Sequence, residues 1–371
     1  VFSKHAIIGV SAVAALALGL TGCAAADSAA PSDVDAATAT SAEDFGGLEG
    51  LVAAAEAEGE LNVIALPDNW ANYGAIKTAF EEKYDILIND ADPDISSAEE
   101  IAAADNLKGQ NTAPDVFDLG TAVALDSLDY FAPYQVANWA EIPDENKEAT
   151  GLWVNDYTGS MSIGYDSNSV PEPTTLDSLL GAEYTGAVAL NGDPTQAGAA
   201  FAAVGLATVQ AGGTLDDFTP GIDFFSELNA AGNFIPVNAT SATIASGETK
   251  VVFDWSYNNL AAAQTVDGWE VTTLAGPVYT SFYNQAVSVD APHPAAARLW
   301  QEFLYSPEAQ NLFITGGAYP VTLQAMVDGG TVDQAALDAV GALEGELVTP
   351  TAEQAEANAA VLAEKWAAAV Q

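Results

Sequence analysis

Apolar positions along the chain recur in two alternating periods. In "LEGLVAAAEAEGE" Leu48, Leu51, Val52 and Ala55 fall on one helical face, and Gly59 stops the pattern. "LNVIAL" is a short continuous apolar run, which suits a buried strand. Ile76, Ala79, Phe80 and Tyr84 line one face of the next helix, and "DILIND" is a second strand. A weaker helix, "SAEEIAAADNLKG", and a third strand, "APDVFDLG", follow. Strands alternating with helices predict an α/β fold with a parallel sheet. Ligands of such sheets lie at the carboxyl ends of the strands. Trp70 and Tyr73, in "LPDNWANYG", stand just past the first strand, among Asp68, Asn69 and Asn72. They form either a ligand platform or a packed corner of the fold.

The alternation continues. Ser160 to Tyr165 reads as a strand, and "VPEPTT" as a loop that caps a helix at Leu176. "GAVALNGDPTQAGAAFAAVGLATVQAGG" holds a strand, a turn at Asn191-Gly192 and a long alanine-rich helix. "TPGIDFFSELNAAG" is a helix with Thr219 as cap and Pro220 at its first position. "SATIASGETKVVFDWSYNNLAAAQ" reads helix, strand, helix, and "WEVTTLAGPVYTSFYNQAVSVD" has strand character. "HPAAARLWQEFLYSPEAQNLFITGG" is a helix pair whose second member starts at Ser306-Pro307, and "TAEQAEANAAVLAEKWAAAV" is a last helix. Trp300 and Phe303 belong to a core-facing helical stripe, and Trp366 docks the last helix. There is no internal repeat.

The first residues carry a different message. Lys4 and His5 precede an uncharged apolar run, Ala6 to Leu20. The run is shorter than the roughly 20 residues of a membrane span and has the anatomy of a secretory signal. It ends in Leu20-Thr21-Gly22-Cys23, which matches the lipobox of bacterial lipoproteins; residues 1–22 then read as a lipoprotein signal peptide. The resemblance implies lipid attachment at Cys23, anchoring to the outer face of the cytoplasmic membrane. Residues 23–46, rich in Ala, Ser, Thr and Asp, read as a flexible tether.

Composition narrows the chemistry. With 371 residues the chain is long enough for two domains. It carries 8 Lys+Arg against 52 Asp+Glu, a net charge of −44. A nucleic-acid partner requires a basic surface, and there are too few cations to build one. The acidity fits a surface solvated in salty surroundings, or attraction of a cationic ligand. Cys23 is the single cysteine, so no disulfide forms within the chain. Outside the signal, His293 in "APHPA" is the single histidine and reads as a surface turn residue. Cys/His zinc sites and Ser-His-Asp machinery therefore lack parts. No P-loop phosphate cradle occurs. No cofactor is expected.

The order of these segments resembles the extracellular solute-binding proteins of ABC importers, in the group that takes up polyamines, ferric iron and thiamine. "AFEEKYDILI", "APDVFDLG", "GSMSIGYDSNSVPEPTTLDSLL" and "HPAAARLWQEFLYSPEAQNLFITGGAYPV" carry the resemblance, which runs from about Leu48 to Val370. It implies a periplasmic-binding-protein type II fold: two α/β lobes, crossover strands and a central ligand cleft closed by hinge motion. Lobe 1 is expected over 47–158 and 285–371, and lobe 2 over 159–284. The implied partners are a small solute and a membrane permease, with a monomeric receptor between them.

The Trp-x-x-Tyr of "NWANY" is similar to the first aromatic pair of polyamine binders. The resemblance then implies Trp70, Tyr73, Trp255 and Tyr257 as aromatic walls, Asp193 as charge partner, and Asn284 and Tyr319 as orienting groups. Aromatic faces attract an ammonium by about 0.5–2 kcal/mol per contact. Asp193 before Pro194 also suits a helix cap, and Asp254 suits a bond back to its own lobe. The chain departs from that pattern where Gln196 and Asn284 stand for acids. Nor does it hold the adjacent tyrosines of ferric binders. Spermidine or putrescine is the first expectation; thiamine, an amino-phosphonate and ferric iron remain open. From other classes, a carboxylate-dependent glycoside hydrolase and a structural surface lipoprotein also remain.

Overall fold

The computed structural model describes residues 34–343 and 345–370. Cys23 and the signal lie outside the described residues. Residues 34–46, read from composition as tether, are docked. Two 3-10 turns there bury Ala39, Ala42 and Phe45, and Arg298 donates to the carbonyls of Ala37 and Ala39 at 2.9 and 2.7 Å. An alanine-rich segment can bury its backbone against an arginine without an apolar period that sequence would reveal.

The chain opens with α1 (Leu48–Glu58), β1 (Glu60–Ile64), α2 (Tyr73–Tyr84), β2 (Leu87–Ala91), α3 (Ser97–Leu107), β3 (Val116–Gly120), α4 (Thr121–Asp126) and β4 (Phe131–Ala132). The long strand β5 (Val154–Asp166) then leads to β6 (Val188–Leu190), α5 (Gly198–Gln210), α6 (Thr219–Ala230) and β7 (Phe234–Asn238). Next come α7 (Ser241–Ala245), β8 (Val251–Trp255), α8 (Ser256–Thr265), β9 (Trp269–Thr272) and a second long strand, β10 (Pro277–Ser288). The chain finishes with α9 (Pro294–Leu304), α10 (Pro307–Thr315), β11 (Tyr319–Pro320), α11 (Leu323–Gly329), α12 (Gln334–Val340), β12 (Glu346–Val348) and α13 (Ala352–Ala369).

Pairing is mixed where the alternation predicts parallel strands. β1 and β2 pair in parallel, as do β6 with β7 and β6 with β8. The first half of β5 runs antiparallel to β10, and its second half antiparallel to β8 and β9. The far half of β10 runs antiparallel to β3 and β4. β5 and β10 are thus the two strands that pass between the lobes. Sequence periods report burial, not which distant strand supplies the partner.

Small residues let α5 sit at the centre. A Cβ at Gly205 would lie 2.5 Å from Cε2 of Tyr279, so the helix touches β10 there without a side chain. On α9, Trp300 and Phe303 are fully buried, and Phe80 of α2 stands 5.2 Å from the Trp300 ring. Trp366 holds α13 by edge contacts to Phe225 and Phe234, at 5.5 and 6.2 Å. Ser306 caps α10, as the Ser-Pro pair predicts. At α6 the helix begins one residue early, with Thr219 inside it and its hydroxyl donating to Asp217 at 2.6 Å. His293 is not a surface residue: it is buried and bonded to Asp115.

Candidate functional site

Six strands end at one cleft. Their following loops bring Trp70 after β1, Ser96 after β2, Asn191 after β6 and Ser241 after β7. Asp118 in the middle of β3 and Asp254 near the end of β8 complete the lining. This is where open α/β sheets hold ligands. The enclosed space is about 100 Å³.

The Trp70 loop is tightly wound. Ala65, Ala71 and Asn72 all have positive φ (56°, 44° and 69°), a region that side chains other than glycine enter at a cost of about 1–3 kcal/mol each. Lys77 holds the loop by bonding to the Leu66 carbonyl at 2.8 Å, to Asp68 at 2.9 Å and to Asp90. The Trp70 indole stands edge-on to Tyr283 and Tyr257, with centroids 5.5 and 5.9 Å away. Its Nε1 donates to the Tyr157 hydroxyl at 2.7 Å, and that hydroxyl donates to Asp118 Oδ2 at 2.9 Å. An indole, a phenol and a carboxylate therefore form one relay from the aromatic wall to the cleft floor.

The floor is acidic. Asp118, Glu100 and Asp254 are buried and line the cleft, and Asp94 stands at its exposed mouth. No Lys, Arg or His is among the described lining residues. Burial lifts the Asp118 carboxyl to about 7, against the opposing bond from Tyr157 and the nearby donors of Tyr73 and Gln285, which themselves bond to Asp156. Burial lifts Asp254 to about 6 against bonds from Asn191, Asn258 and the Trp255 amide. Glu100 is raised by burial and by Asp118. Beneath them, Asp156 is fully buried and accepts from Gln285 at 3.0 Å and Tyr73 at 3.1 Å. Its carboxyl is raised by burial first and by Asp118 second.

Three acceptor atoms of lining residues have no donor, Asn259 Oδ1 among them. Asp118 Oδ1, from one lobe, is buried and unpartnered. So is Asn258 Oδ1, from the other. The Asn258 orientation follows from its amide donating to Asp254 at 3.1 Å, which turns the carbonyl oxygen away. Buried acceptors of this kind are rare in native proteins and call for a donor.

The lobes are shut on each other. Asn69 donates to Ser241 at 2.6 Å, and the Ala98 amide donates to the Gln196 carbonyl at 3.2 Å. Gly120 and Gly198 meet backbone to backbone: a Cβ on Gly120 would lie 2.7 Å from Cα of Gly198. Beyond this contact and Tyr283, under α13, lies a larger space of about 560 Å³ walled largely by Phe201, Trp255, Tyr279 and alanines.

Of the residues singled out in the sequence, Trp70 lines the cleft. Tyr73 lies beneath it, buried and bonded to Asp156. Trp255 and Tyr257 are buried behind Tyr283 and Trp70, with Trp255 Nε1 donating to the Tyr283 hydroxyl at 3.3 Å. Asn284 spends its amide on the Leu119 carbonyl and Thr121, and its oxygen on Asn155. Tyr319 faces another space, its hydroxyl donating to the Gly341 carbonyl at 3.1 Å. Asp193 is exposed and caps its own turn, accepting from the Thr195 amide and hydroxyl at 2.8 and 2.6 Å. Sequence reasoning passed over Asp118, Tyr157 and Asn258. An acid inside the otherwise apolar strand of "DVFDLG" was the available signal for Asp118.

Among solved structures the fold recurs. AfuA from Actinobacillus pleuropneumoniae, a periplasmic binding protein with fructose-6-phosphate bound, matches at TM-score 0.66 and 17% identity over 84% of this chain and 99% of that one. A ferric binding protein from Campylobacter jejuni matches at 0.57 and 15%, covering 83% and 99%. A candidate spermidine/putrescine ABC transporter protein from Listeria monocytogenes matches at 0.59 and 12%, covering 84% and 98%. At these identities the likeness establishes the two-lobe fold alone. No curated protein matches the sequence. Residues 115–342, over half of the chain, match the family of bacterial extracellular solute-binding proteins. Its members hold small solutes outside the cytoplasm and deliver them to membrane permeases. The chain belongs to this family and is a solute receptor of the ABC-importer type.

Proposed function

We propose that this receptor captures a small organic cation of the polyamine class, such as putrescine or spermidine. The observation that carries the reading is the pair of unpartnered acceptors, Asp118 Oδ1 and Asn258 Oδ1, in a cleft lined by buried acids and by no basic side chain. An ammonium supplies donors to both lobes at once, so its binding favours the closed state. Asp118 and Asp254 provide the charge and Trp70 the aromatic wall. Burial raises the phenols of Tyr157, Tyr257 and Tyr283, which opposes the tyrosinates that ferric iron prefers. A ligand with an anionic end besides its ammonium, such as an amino-phosphonate, is the second reading. The first turns of α3 and α5, whose Ser97, Gly198 and Ala199 line the cleft, favour it.

The same proposal includes a monomeric, non-catalytic receptor held to the membrane by lipid at Cys23. Loss of membrane fractionation in Cys23→Ser tests the anchor. A thermal-shift panel of putrescine, spermidine, thiamine, 2-aminoethylphosphonate, ferric citrate and fructose-6-phosphate tests the ligand class. A ligand at a hundred times its Kd stabilises by about 2.7 kcal/mol. Stabilisation by the polyamines alone supports the first reading. Stabilisation by fructose-6-phosphate or ferric citrate alone overturns it.

A further inference from the structure

We propose that Asp118 holds a proton while the closed cleft is empty and releases it when a cation enters, so that capture exchanges one positive charge for another. The inference rests on the cation reading above. Its basis is the company that Asp118 keeps. Glu100 faces it from α3, its Oε2 accepting the Asp118 amide at 3.2 Å. Asp156 and Tyr157 face it from β5, Tyr73 from α2, and Gln285 and Tyr283 from β10. Asp254 stands across the cleft on β8. Every titratable neighbour is an acid or a phenol. Of the described cations, Lys77 is engaged with Asp68 and Asp90, Lys83 with Glu308, Lys108 with Asp290, Lys147 with Asp144, Lys365 with Thr219 and Arg298 with backbone carbonyls, and Lys250 does not line the cleft. His293 pairs with Asp115.

An ionised Asp118 in the empty cleft leaves a buried Oδ1 with no donor and no countercharge. Desolvation opposes that form, and protonation relieves it. Tyr157 is the counterweight, because its hydroxyl donates to Oδ2 and favours the carboxylate. Asp118 and Asp156 titrate as a pair, but of the two only Asp118 lines the cleft. Asp254 differs: both its oxygens accept side-chain or backbone donors, so it ionises at lower pH and draws the cation in. When the ammonium arrives, its N–H donates to Asp118 Oδ1, the carboxyl O–H breaks, and the proton passes to bulk water. At Asp118 one positive charge replaces another, and any further ammonium of the ligand adds its own charge to the acidic chamber. Below the Asp118 titration the affinity for a cation then rises about tenfold per pH unit, and above it the affinity is flat.

Two measurements on the intact chain test this. An infrared pH titration of the ligand-free protein is expected to show one protonated-carboxyl band that disappears near neutral pH, apart from the bands of the other raised acids, Glu100 and Asp156. Asp118→Asn is expected to remove that band, and Tyr157→Phe to move its midpoint to higher pH. A merely structural role for Tyr157 leaves the midpoint where it was. If Asp118→Asn fails to fold, the Tyr157→Phe midpoint decides. Calorimetry with putrescine in phosphate and in Tris reads the exchange itself. At about pH 6.5 the two heats are expected to differ by the ionisation heat of most of one proton per ligand, and at about pH 8 to come close to coinciding. Putrescine binding with buffer-independent heat at both pH values overturns the proposal. So does survival in Asp118→Asn of the band that disappears near neutral pH. If putrescine does not bind while the band is lost in Asp118→Asn, the proton is placed correctly, but the cation reading fails and the exchange falls with it.

Discussion

Asp115 and Asp118 stand three residues apart on one stretch of chain, both buried, and their surroundings differ in kind. Asp115, at the entrance to β3, accepts from the Asn62 amide at 2.7 Å, the His293 amide at 2.7 Å and His293 Nδ1 at 2.8 Å. The bond to Asp115 raises the His293 imidazole against the opposing effect of burial, which favours a paired ion. Asp118, in the middle of the strand, has one oxygen bonded to Tyr157 and one without a donor. A satisfied buried acid is architecture: it ties β1, β3 and α9 together. An acid left half-satisfied beside open space is reserved for a group that arrives later.

Substitutions can break or sharpen this contrast. Asp115→Ala is expected to cost the most, about 3–5 kcal/mol in a urea melt, because it strands two buried amides and His293. Affinity in the folded fraction should not change. Trp70→Ala is expected to reverse that pattern, weakening ligand binding by about 1–2 kcal/mol in calorimetry with little change in melting. The third prediction concerns pH. Asp118 binds its proton more tightly folded, at about 7, than its ordinary value of 3.8. Its contribution to stability is therefore complete below about pH 4 and lost as pH rises through about 7. The wild type should melt lower at about pH 8 than at about pH 5, and Asp118→Asn should shrink that difference by a few °C. Asp254 and His293 act in the same direction and leave a remainder. Asp193→Ala is the smallest change: affinity within about twofold, and less than about 1 kcal/mol of stability from the lost turn bonds. A large loss of affinity there would return charge recognition to the rim and dissolve the contrast.

Much of the fold was legible because its elements announce themselves locally. Ser306-Pro307 marks a helix start, Trp300 and Phe303 mark a buried stripe, and "LNVIAL" marks a buried strand, as the structure finds them. The antiparallel pairing of β3 with β10 was not legible, since the partners are separated by more than 150 residues and nothing local encodes the match. The site was less legible still. Aromatic-rich turns drew attention to Trp255 and Tyr257, yet an apolar strand and a helix start are where large rings also go to be buried. Tyr157 lies in a strand buried almost throughout and shows its role only through its bonds to Trp70 and Asp118. Asp118 was visible as an acid in an apolar strand, but Asp115 presents the same appearance three residues earlier. Distance, not spacing, separates them.

The meeting of Gly120 and Gly198 works as a calliper. With no side chain on either jaw, the lobes close until main chain touches main chain, so the smallest chamber is set by the backbone and not by a replaceable group. Every methyl added at either jaw becomes a shim. Alanine or valine at Gly198 would prop the chamber wider by a known thickness, favouring longer solutes over shorter ones. A graded series at that one position would turn the receptor into a length gauge whose scale is written in carbon atoms.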